Sequence, residues 1–443
     1  MSGNNVTKPE KYFVKNALIN YFLVLMFTVF PLFVTAQYSN VRHDKFYLFA
    51  VLSALLILIE IPIIICSCFT KEKTGEKRCK RLSFTDLAFV ALILIFTVST
   101  LSSEFVFDSF IGATGRFCGL LTFIIFFLLY IVISRNFQYK EYVFVLFSAA
   151  LLIVFALCIL NSFAIDPLGM YEGYSDELRK DFVSTIGNRN VMSSLCCVTV
   201  PAFFVLFIHN KTSVRFLYLS TAVIGFFAMV RCDSMSGFIG FVPTFALLSL
   251  YYTRKSKKLF YLLVGIYSAV VLAFIILFVY FTFIDVSTPL DGFMRFFRFN
   301  DKWGTHRGYI WSKSWEIFKG FGFKNTLLGS GPDTFYNVFE PYFAELNTRF
   351  GDAVNNAAHN EFLNYLITTG VLGLLAYLSL IVSTIVRAVK AADKNYLALA
   401  FIAPVVCYFF QSVVDISTVI VLPFLFIFIS LAENISLKEL NAS

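Results

Sequence analysis

Apolar runs of 18 or more residues recur along this 443-residue chain, and they restrict its fold more than any other feature. A run of that length is long enough to cross the hydrocarbon core of a bilayer as one helix. Only 14% of the residues are charged, against about a quarter in soluble domains. The runs lack the apolar–polar alternation of a membrane β-barrel. We therefore predict an all-α, polytopic integral membrane protein.

The apolar runs predict about twelve transmembrane helices. The predicted spans are residues 17–36, 46–69, 85–103, 117–134, 142–165, 191–209, 216–231, 235–252, 259–284, 361–386, 396–414 and 416–432. They divide the chain into an N-terminal membrane domain of about nine spans (1–284), a long loop (285–360) and about three C-terminal spans (361–443).

The positions of Lys and Arg predict the orientation of the chain. The terminal tails and even-numbered loops hold 21 of these residues, whereas the short odd-numbered loops hold 7. Short cytoplasmic loops are enriched in Lys and Arg, and the clearest case is segment 71–81 (KEKTGEKRCKR). We therefore predict cytoplasmic termini and an extracytoplasmic loop 285–360. Because topology accounts for the net charge of +8, we predict no nucleic-acid partner.

The long loop contains patterns that predict short interfacial helices. Trp311, Trp315 and Phe318 follow helical spacing and predict an amphipathic helix at the membrane surface, from Thr305 to Gly320. A Gly-rich turn follows, with Pro332 predicted at a first helical position. Residues 334–350 predict a second interfacial helix.

His359 is the strongest candidate for a catalytic residue. It precedes the predicted span 361–386, at its outer end. The positive end of a helix dipole disfavours imidazolium, and a general base needs a neutral imidazole. The alternative is that His359 or Asn360 only caps the helix.

Three arginines on the predicted outer side form the second group of candidates. Arg116 and Arg189 lie in Gly-rich turns at the mouths of spans, and Arg307 begins the Trp-rich segment. A guanidinium binds phosphate oxygens at two points and remains charged near lipid. The alternative for each is snorkelling of a single side chain to the interface.

Several other chemistries are disfavoured by the sequence. The outer side has no pair of carboxylates of the kind that two-acid glycoside hydrolysis requires. Asp415 could approach the pocket in which His359 and the arginines would act. Because there is no Cys-x-x-Cys spacing and no Walker A motif, we predict no metal, no cofactor and no ATP hydrolysis.

Ordered short motifs resemble the O-antigen ligase and Wzy-type polymerase family. They are RGYIW (307–311), LGSGPDTF (328–335), HNEFL (359–363) and GVLG (370–373), preceded by GRFCG (115–119) and GNRN (187–190). The resemblance places the catalytic motif region at about 187–377.

The resemblance implies a GT-C-like glycosyltransferase of a bacterial plasma membrane. Such enzymes transfer a glycan from an undecaprenyl-diphosphate carrier to an acceptor glycan or lipid, with inversion and without a metal. By position, His359 is the implied base, and Arg116, Arg189 and Arg307 are the implied diphosphate contacts. The supporting positions are Asn188, Asn190, Trp311, Gly329, Gly331 and Asn360.

The same resemblance leaves the acceptor open between ligase and polymerase, and it allows partners in polysaccharide export. Two functions from other classes are also considered as alternatives. A transporter or flippase of lipid-linked saccharide would also need arginines for the diphosphate, and it predicts polar residues inside the spans, which are few. A sensor or structural membrane protein would not need His359.

Overall fold

The structure is a computed structural model that describes residues 8–69, 82–351, 356–416 and 418–440. These residues are mostly helical, and the basic segment 71–81 lies outside them. The first nine α-helices are α1 (Lys8–Leu32), α2 (Val41–Phe69), α3 (Phe84–Ser102), α4 (Val106–Ile111), α5 (Leu120–Asn136), α6 (Glu141–Ser162), α7 (Asp176–Arg179), α8 (Arg189–Cys197) and α9 (Val200–His209). The next ones are α10 (Val214–Arg231), α11 (Met235–Thr253), α12 (Lys257–Val279), α13 (Trp303–Gly320), α14 (Phe323–Leu328), α15 (Phe335–Phe339), α16 (Phe343–Phe350), α17 (Glu361–Ala392), α18 (Tyr396–Gln411) and α19 (Leu422–Leu440).

A few short elements complete the described chain. Short 3-10 helices cover Ala113–Gly115, Gly292–Phe297 and Glu340–Tyr342, and a π-helical turn covers Tyr280–Ile284. Two-residue strands, β1 (Phe182–Val183) and β2 (Gly187–Asn188), pair antiparallel with Val183 opposite Gly187. This hairpin is the exception to the all-α prediction.

The helices agree with a multi-pass membrane protein. Within the described ranges, eight helical stretches are long and apolar enough to cross a membrane, and three shorter ones are apolar. Every predicted span overlaps a helix or, for 191–209, the pair α8 and α9. The total of twelve remains a prediction, as do the GT-C-like fold and the three-part domain division.

Two predicted spans differ from the structure near proline residues. The span predicted at 191–209 is interrupted between α8 and α9, where Pro201 lies in the first turn of α9. The last helix begins at Leu422, not at 416, and Pro423 again lies in its first turn. Proline has no backbone N–H and is tolerated there, because the N–H groups of a first turn have no partner in their own helix.

Helix α19 lies inside the bundle, although its sequence carries charges. Its Phe426 stacks on Phe126 of α5 at a centroid distance of 4.3 Å. Fully buried Glu433 accepts two hydrogen bonds from Arg387 of α17, at 2.9 and 3.0 Å. Pairing makes such burial tolerable. Helices on both sides of the long loop therefore share one core.

Helix α17 is broken at Gly370, and a segment of the long loop fills the break. Gly370 has φ 66° and ψ −172°, a conformation that essentially only glycine adopts. The break frees the carbonyls of Ile367 and Thr368, which accept hydrogen bonds from the N–H groups of Ser330 (3.1 Å) and Gly331 (2.7 Å). The loop thereby satisfies polar backbone groups of the apolar bundle.

The break permits very close contact between α17 and the end of α14. A Cβ at Gly370 would lie 2.3 Å from the carbonyl carbon of Leu327, and one at Gly329 would lie 2.3 Å from that of Thr368. Because Gly370 has no side chain, the backbone of Leu327 can approach it closely. Gly329 allows the same approach by the backbone of Thr368. This accounts for Gly329 in the LGSG motif.

We expect Gly370→Ala to lower the free energy of unfolding by at least about 2 kcal/mol, because the backbone conformation excludes Ala and the new methyl would overlap Leu327. The midpoint of thermal unfolding in detergent measures the effect. Gly265→Ala in α12 is the matched control, since a Cβ there has no neighbour within 4 Å. An equal midpoint for the two variants would contradict the close contact.

The interfacial helices of the loop are shorter than predicted. In α13, Gly304, Thr305 and His306 are non-helical, so regular helix starts after His306, not at Thr305, and ends, as predicted, at Gly320. The helix predicted at 334–350 is divided into α15, a 3-10 turn containing Pro341, and α16.

Two further details of these helices differ from the sequence prediction. Pro332 lies in the turn before α15, not in a first helical position. The Trp-rich face of α13 is also divided, because Trp311 is partly buried while Trp315 is exposed.

Candidate active site

Loops from five parts of the chain meet at one end of the bundle, which we call the loop end. Here α2, α5, α8 and α17 begin, and α3 and α18 end. The Oγ of Ser103, after α3, donates to the carbonyl of Ser330 in the long loop. The N–H of Glu361 donates to the carbonyl of Ser412, after α18 (2.8 Å). The loop end is the side predicted to face outward.

His359 stands immediately before α17 on a tightly held backbone. Its φ is 49°, in the left-handed region. The carbonyl of Ala358 accepts the indole N–H of Trp311 (2.9 Å), and the N–H of Ala358 donates to the side chain of Asn364 (3.3 Å). Asn360 caps the helix by accepting from the N–H of Leu363 (2.9 Å). The capping role thus falls to Asn360.

The imidazole of His359 is neutral, and one of its nitrogens makes no hydrogen bond within the described residues. Burial, followed by the charges of Arg307 and Arg116, lowers its pKa to about 3. We expected a neutral ring from the helix dipole, but burial and the two arginines are the causes that the structure provides. Its Nδ1 is buried and has no hydrogen-bond partner among the described residues. Such a nitrogen can accept a proton from a bound group.

Arg116 reaches the site from the turn before α5 and is only 4% exposed. Its Nε donates to Asp333 (2.8 Å), whose other oxygen accepts from the N–H of Cys118 (3.1 Å). Its Nη1 donates to Asn356 (3.5 Å). Burial opposes the charge of Arg116, but the Asp333 carboxylate outweighs this effect and raises the pKa of Arg116. Sequence reasoning missed Asp333, although it lies within the LGSGPDTF motif.

Arg307 is the second cation near His359. The preceding residues Gly304, Thr305 and His306 all have positive φ, and a Cβ at Gly304 would lie 3.3 Å from Cδ of Arg307. Left-handed Thr is rare and strained, and such strain concentrates at functional sites. Burial lowers the pKa of Arg307, and the charge of Asp415 opposes that shift. A guanidinium nevertheless remains protonated.

The charge of Arg307 acts on Asp415, which also accepts hydrogen bonds from helices in distant parts of the chain. It is 5% exposed and accepts hydrogen bonds from Ser194 of α8 (3.1 Å), Ser236 of α11 (3.0 Å) and Gln411 of α18 (2.9 Å). The sequence-based suggestion that Asp415 approaches the pocket agrees with this position.

The described contacts of Arg189 are with residues other than His359, Arg116 and Arg307. Its N–H donates to the carbonyl of Asp181 (3.0 Å), and its charge acts on Tyr171. Its buried Nε has no hydrogen-bond partner among the described residues. Asn188 caps α8 through the N–H of Asn190 (2.8 Å), whose side chain accepts from Ser234 (2.8 Å). The structure thus gives Asn188 and Asn190 local structural roles and does not join Arg189 to His359 by a described contact.

The structure adds two residues that the sequence did not single out. Arg42, at the start of α2, lines a small pocket with Arg116 and Asn356; the other lining residues are Ile416 and Thr418. Glu361 is buried and accepts from the hydroxyl of Tyr408 (2.7 Å). Arg42 is 74 positions from Arg116, so no local pattern indicates that they meet.

Gly331, the second glycine of the LGSG motif, leaves room for one side chain from the loop after α3 and one from α4. A Cβ there would lie 2.6 Å from Oγ of Ser103 and 2.7 Å from Oγ of Ser109. Gly329 and Gly331 thus support the site by close packing.

A metal site needs several His, Cys, Asp or Glu side chains close together. Among the described residues, no group of three or more His, Cys, Asp and Glu side chains could hold a metal ion.

The site motifs agree with the comparison to known families. Residues 220–378 match the family model Wzy_C, described as O-antigen ligase. The chain carries an O-antigen ligase domain. This confirms the resemblance in the stretch that contains Arg307 and His359, while GRFCG (115–119) and GNRN (187–190) precede the match. No curated protein matches the chain significantly.

The O-antigen ligase domain implies a glycosyl-transfer enzyme with lipid-linked glycan and acceptor substrates. Together with the apolar helices, it identifies a multi-pass membrane protein.

Proposed function

We propose that this O-antigen ligase-domain protein transfers a glycan from an undecaprenyl-diphosphate carrier to an acceptor hydroxyl at the outer face of a bacterial plasma membrane. The observation that carries the proposal is the neutral His359 beside Arg307 and Arg116 at the end of a membrane helix. The acceptor is a lipid or a second carrier-linked glycan, which gives a ligase or a polymerase.

The donor diphosphate binds at the arginines. The small pocket lined by Arg42 and Arg116 lies at the loop end, and the charge of Arg307 acts on His359. Guanidinium groups fixed before the reaction stabilise the charge that develops on a departing diphosphate. A divalent cation is not needed for that role, so we propose a metal-independent reaction. We retain Arg189 as a candidate contact of the donor diphosphate.

His359 acts as the base in an inverting displacement. The acceptor oxygen attacks the anomeric carbon as its proton passes to a ring nitrogen of His359. The bond from that carbon to the phosphate oxygen breaks, and its electron pair leaves with the carrier diphosphate. The proton is then released to solvent. One attack from the opposite face inverts the anomeric centre.

We expect the diphosphate to make His359 a better base. In the free enzyme the pKa of His359 is about 3, which makes its imidazole a weak base. An anion on Arg307 and Arg116 removes their repulsion and raises that pKa. The acid limb that His359 gives to kcat should therefore lie at higher pH than the one it gives to kcat/KM, which falls below pH 4, so that kcat/KM shows no His359 limb between pH 4 and 8. A kcat/KM limb from His359 at its ordinary pKa of about 6.5 would contradict this account.

The proposal is tested with the purified protein in lipid and a labelled undecaprenyl-diphosphate glycan. A lipid A core or a second carrier-linked glycan is offered as acceptor, with and without a chelator. We expect a glycosidic product in the presence of chelator, and the acceptor consumed identifies ligase or polymerase. Movement of the labelled lipid between leaflets without any product would overturn the proposal in favour of a flippase.

A further inference from the structure

Three aromatic residues beside the candidate active site form one cluster, which we call the aromatic wall. It consists of Phe299, Trp303 and Trp311. The ring centroids of Trp303 and Trp311 lie 5.2 Å apart, and those of Phe299 and Trp311 lie 6.1 Å apart. All three rings are partly accessible, with Phe299 37% exposed. The wall thus offers aromatic surface at the loop end.

The wall is built by a tight reversal of the chain before α13. A Cβ at Gly308 would lie 1.9 Å from the carbonyl oxygen of Asn300, so the segment that carries Phe299 crosses directly over the first helical turn. The N–H of Trp303 donates to the carbonyl of Asn300 (2.9 Å), and the left-handed turn at 304–306 follows. A strained backbone thus brings Trp303 against Trp311, which stands eight residues later.

The wall is attached to the residues of the proposed chemistry. Trp311 donates its indole N–H to the carbonyl of Ala358, the residue before His359 (2.9 Å). Trp303 donates its indole N–H to the carbonyl of Phe296 (3.0 Å). Because both N–H groups are satisfied within the protein, only ring faces and edges remain for a ligand.

We propose that the aromatic wall binds a pyranose ring of the glycan that reacts at His359. Pyranose rings present flat faces of C–H groups, which pack on aromatic rings, while their hydroxyls remain at the edge for polar partners. The inference rests on the proposed function and adds the subsite that holds the sugar. Donor and acceptor glycans share this chemistry, and the experiment below separates them.

A lipid contact fits the wall less well than a sugar. Tryptophans that anchor in a bilayer keep their N–H toward the wet headgroup region, whereas both N–H groups here bond to backbone carbonyls. Trp315, one helical turn after Trp311, makes its ring contact outside the wall and is the residue placed for lipid. It is 47% exposed, stacks on Phe318 and lies beside Lys319.

The tryptophans of the chain make a direct binding test possible, because all three lie in α13. In a Trp315→Phe background the emission comes from Trp303 and Trp311 alone. The first probe is the oligosaccharide released from the donor by mild acid, and the second is polyprenyl diphosphate without sugar. We expect saturable quenching or a blue shift with the oligosaccharide and little change with the lipid. A response to the lipid alone, or to neither probe, would overturn the proposal.

Variants of Trp303 supply the second test. Relative to Trp303→Phe, which keeps a ring, we expect Trp303→Leu to weaken oligosaccharide binding about threefold to tenfold. In the transfer assay, KM for one substrate should rise by a similar factor with kcat within about twofold, and that substrate identifies the glycan on the wall. Equal affinity of the two variants, with equal thermal midpoints, would overturn the proposal.

Failure of the wall and failure of the transferase give different results. Oligosaccharide that binds to the wall without any transfer would contradict only the proposed reaction. Transfer that depends on His359 but is insensitive to Trp303→Leu would contradict only the wall. Trp315→Leu, one helical turn beyond the wall, is the matched control and should leave glycan affinity unchanged, because Trp315 stacks on Phe318 and not on a ring of the wall.

Discussion

His359→Ala lowers the rate of glycan transfer by about 10²- to 10⁴-fold, the usual contribution of a positioned base. The loss appears in kcat, because the ring acts on the proton that moves during the reaction and not on the bound glycan. Donor binding is largely retained, since Arg116 and Arg307 remain. Removing the buried neutral ring leaves no unpaired charge behind. The assay is initial-rate transfer at saturating donor, with membrane insertion measured in parallel.

His359→Asn separates chemistry from folding in this test. Asn tolerates the left-handed backbone at position 359 but has no basic ring nitrogen. We expect its thermal midpoint to be near that of the wild type and its rate to equal that of His359→Ala. His209→Ala, at the opposite end of the bundle where His209 stacks on Tyr396, is the control and keeps its activity. Near-wild-type transfer by His359→Asn would remove the base from the mechanism.

Arg307→Ala is expected to reduce kcat/KM by about 10²- to 10³-fold, comparable to the loss of one preorganised charge donor. The donor loses a contact to its diphosphate, and the leaving charge is less stabilised. Asp415 also loses the positive charge that faces it. We therefore expect some loss of stability as well, which the thermal midpoint would report.

Arg307→Lys distinguishes charge from geometry. It keeps a cation opposite Asp415 but cannot bind a diphosphate with a two-point fork. We expect it to recover stability and only part of kcat/KM. Arg179→Ala is the control, since Arg179 forms an exposed pair with Asp176, and such surface pairs contribute little. If Arg307→Ala binds and turns over donor like Arg179→Ala, the phosphate role is wrong.

Local patterns in the sequence predicted the helices well and their interruptions less well. Hydropathy over about 20 residues specifies which segments enter the apolar bundle. It does not specify that α17 breaks at Gly370, because the carbonyls freed there are satisfied by Ser330 and Gly331 of the distant loop. The start of α19 at Leu422 was missed in the same way.

The candidate site was only partly visible in the sequence. His359, Arg116 and Arg307 were singled out by their positions at span ends and by their motifs, and the structure brings these three together. Asp333 and Arg42 were missed. Asp333 meets Arg116 across 217 positions, and only packing of the long loop against the bundle creates such a pair.

The sequence by itself determined a helical membrane protein with an O-antigen ligase domain and a histidine before a membrane helix. It could do so because apolar length, backbone capping and ordered motifs are local properties of the chain. Tertiary structure alone decided that His359 is buried beside two arginines, that the N–H of Arg189 donates to Asp181, and that Trp303 packs on Trp311. Burial, charge interactions and ring contacts depend on distances between residues far apart in the chain, and folding sets those distances.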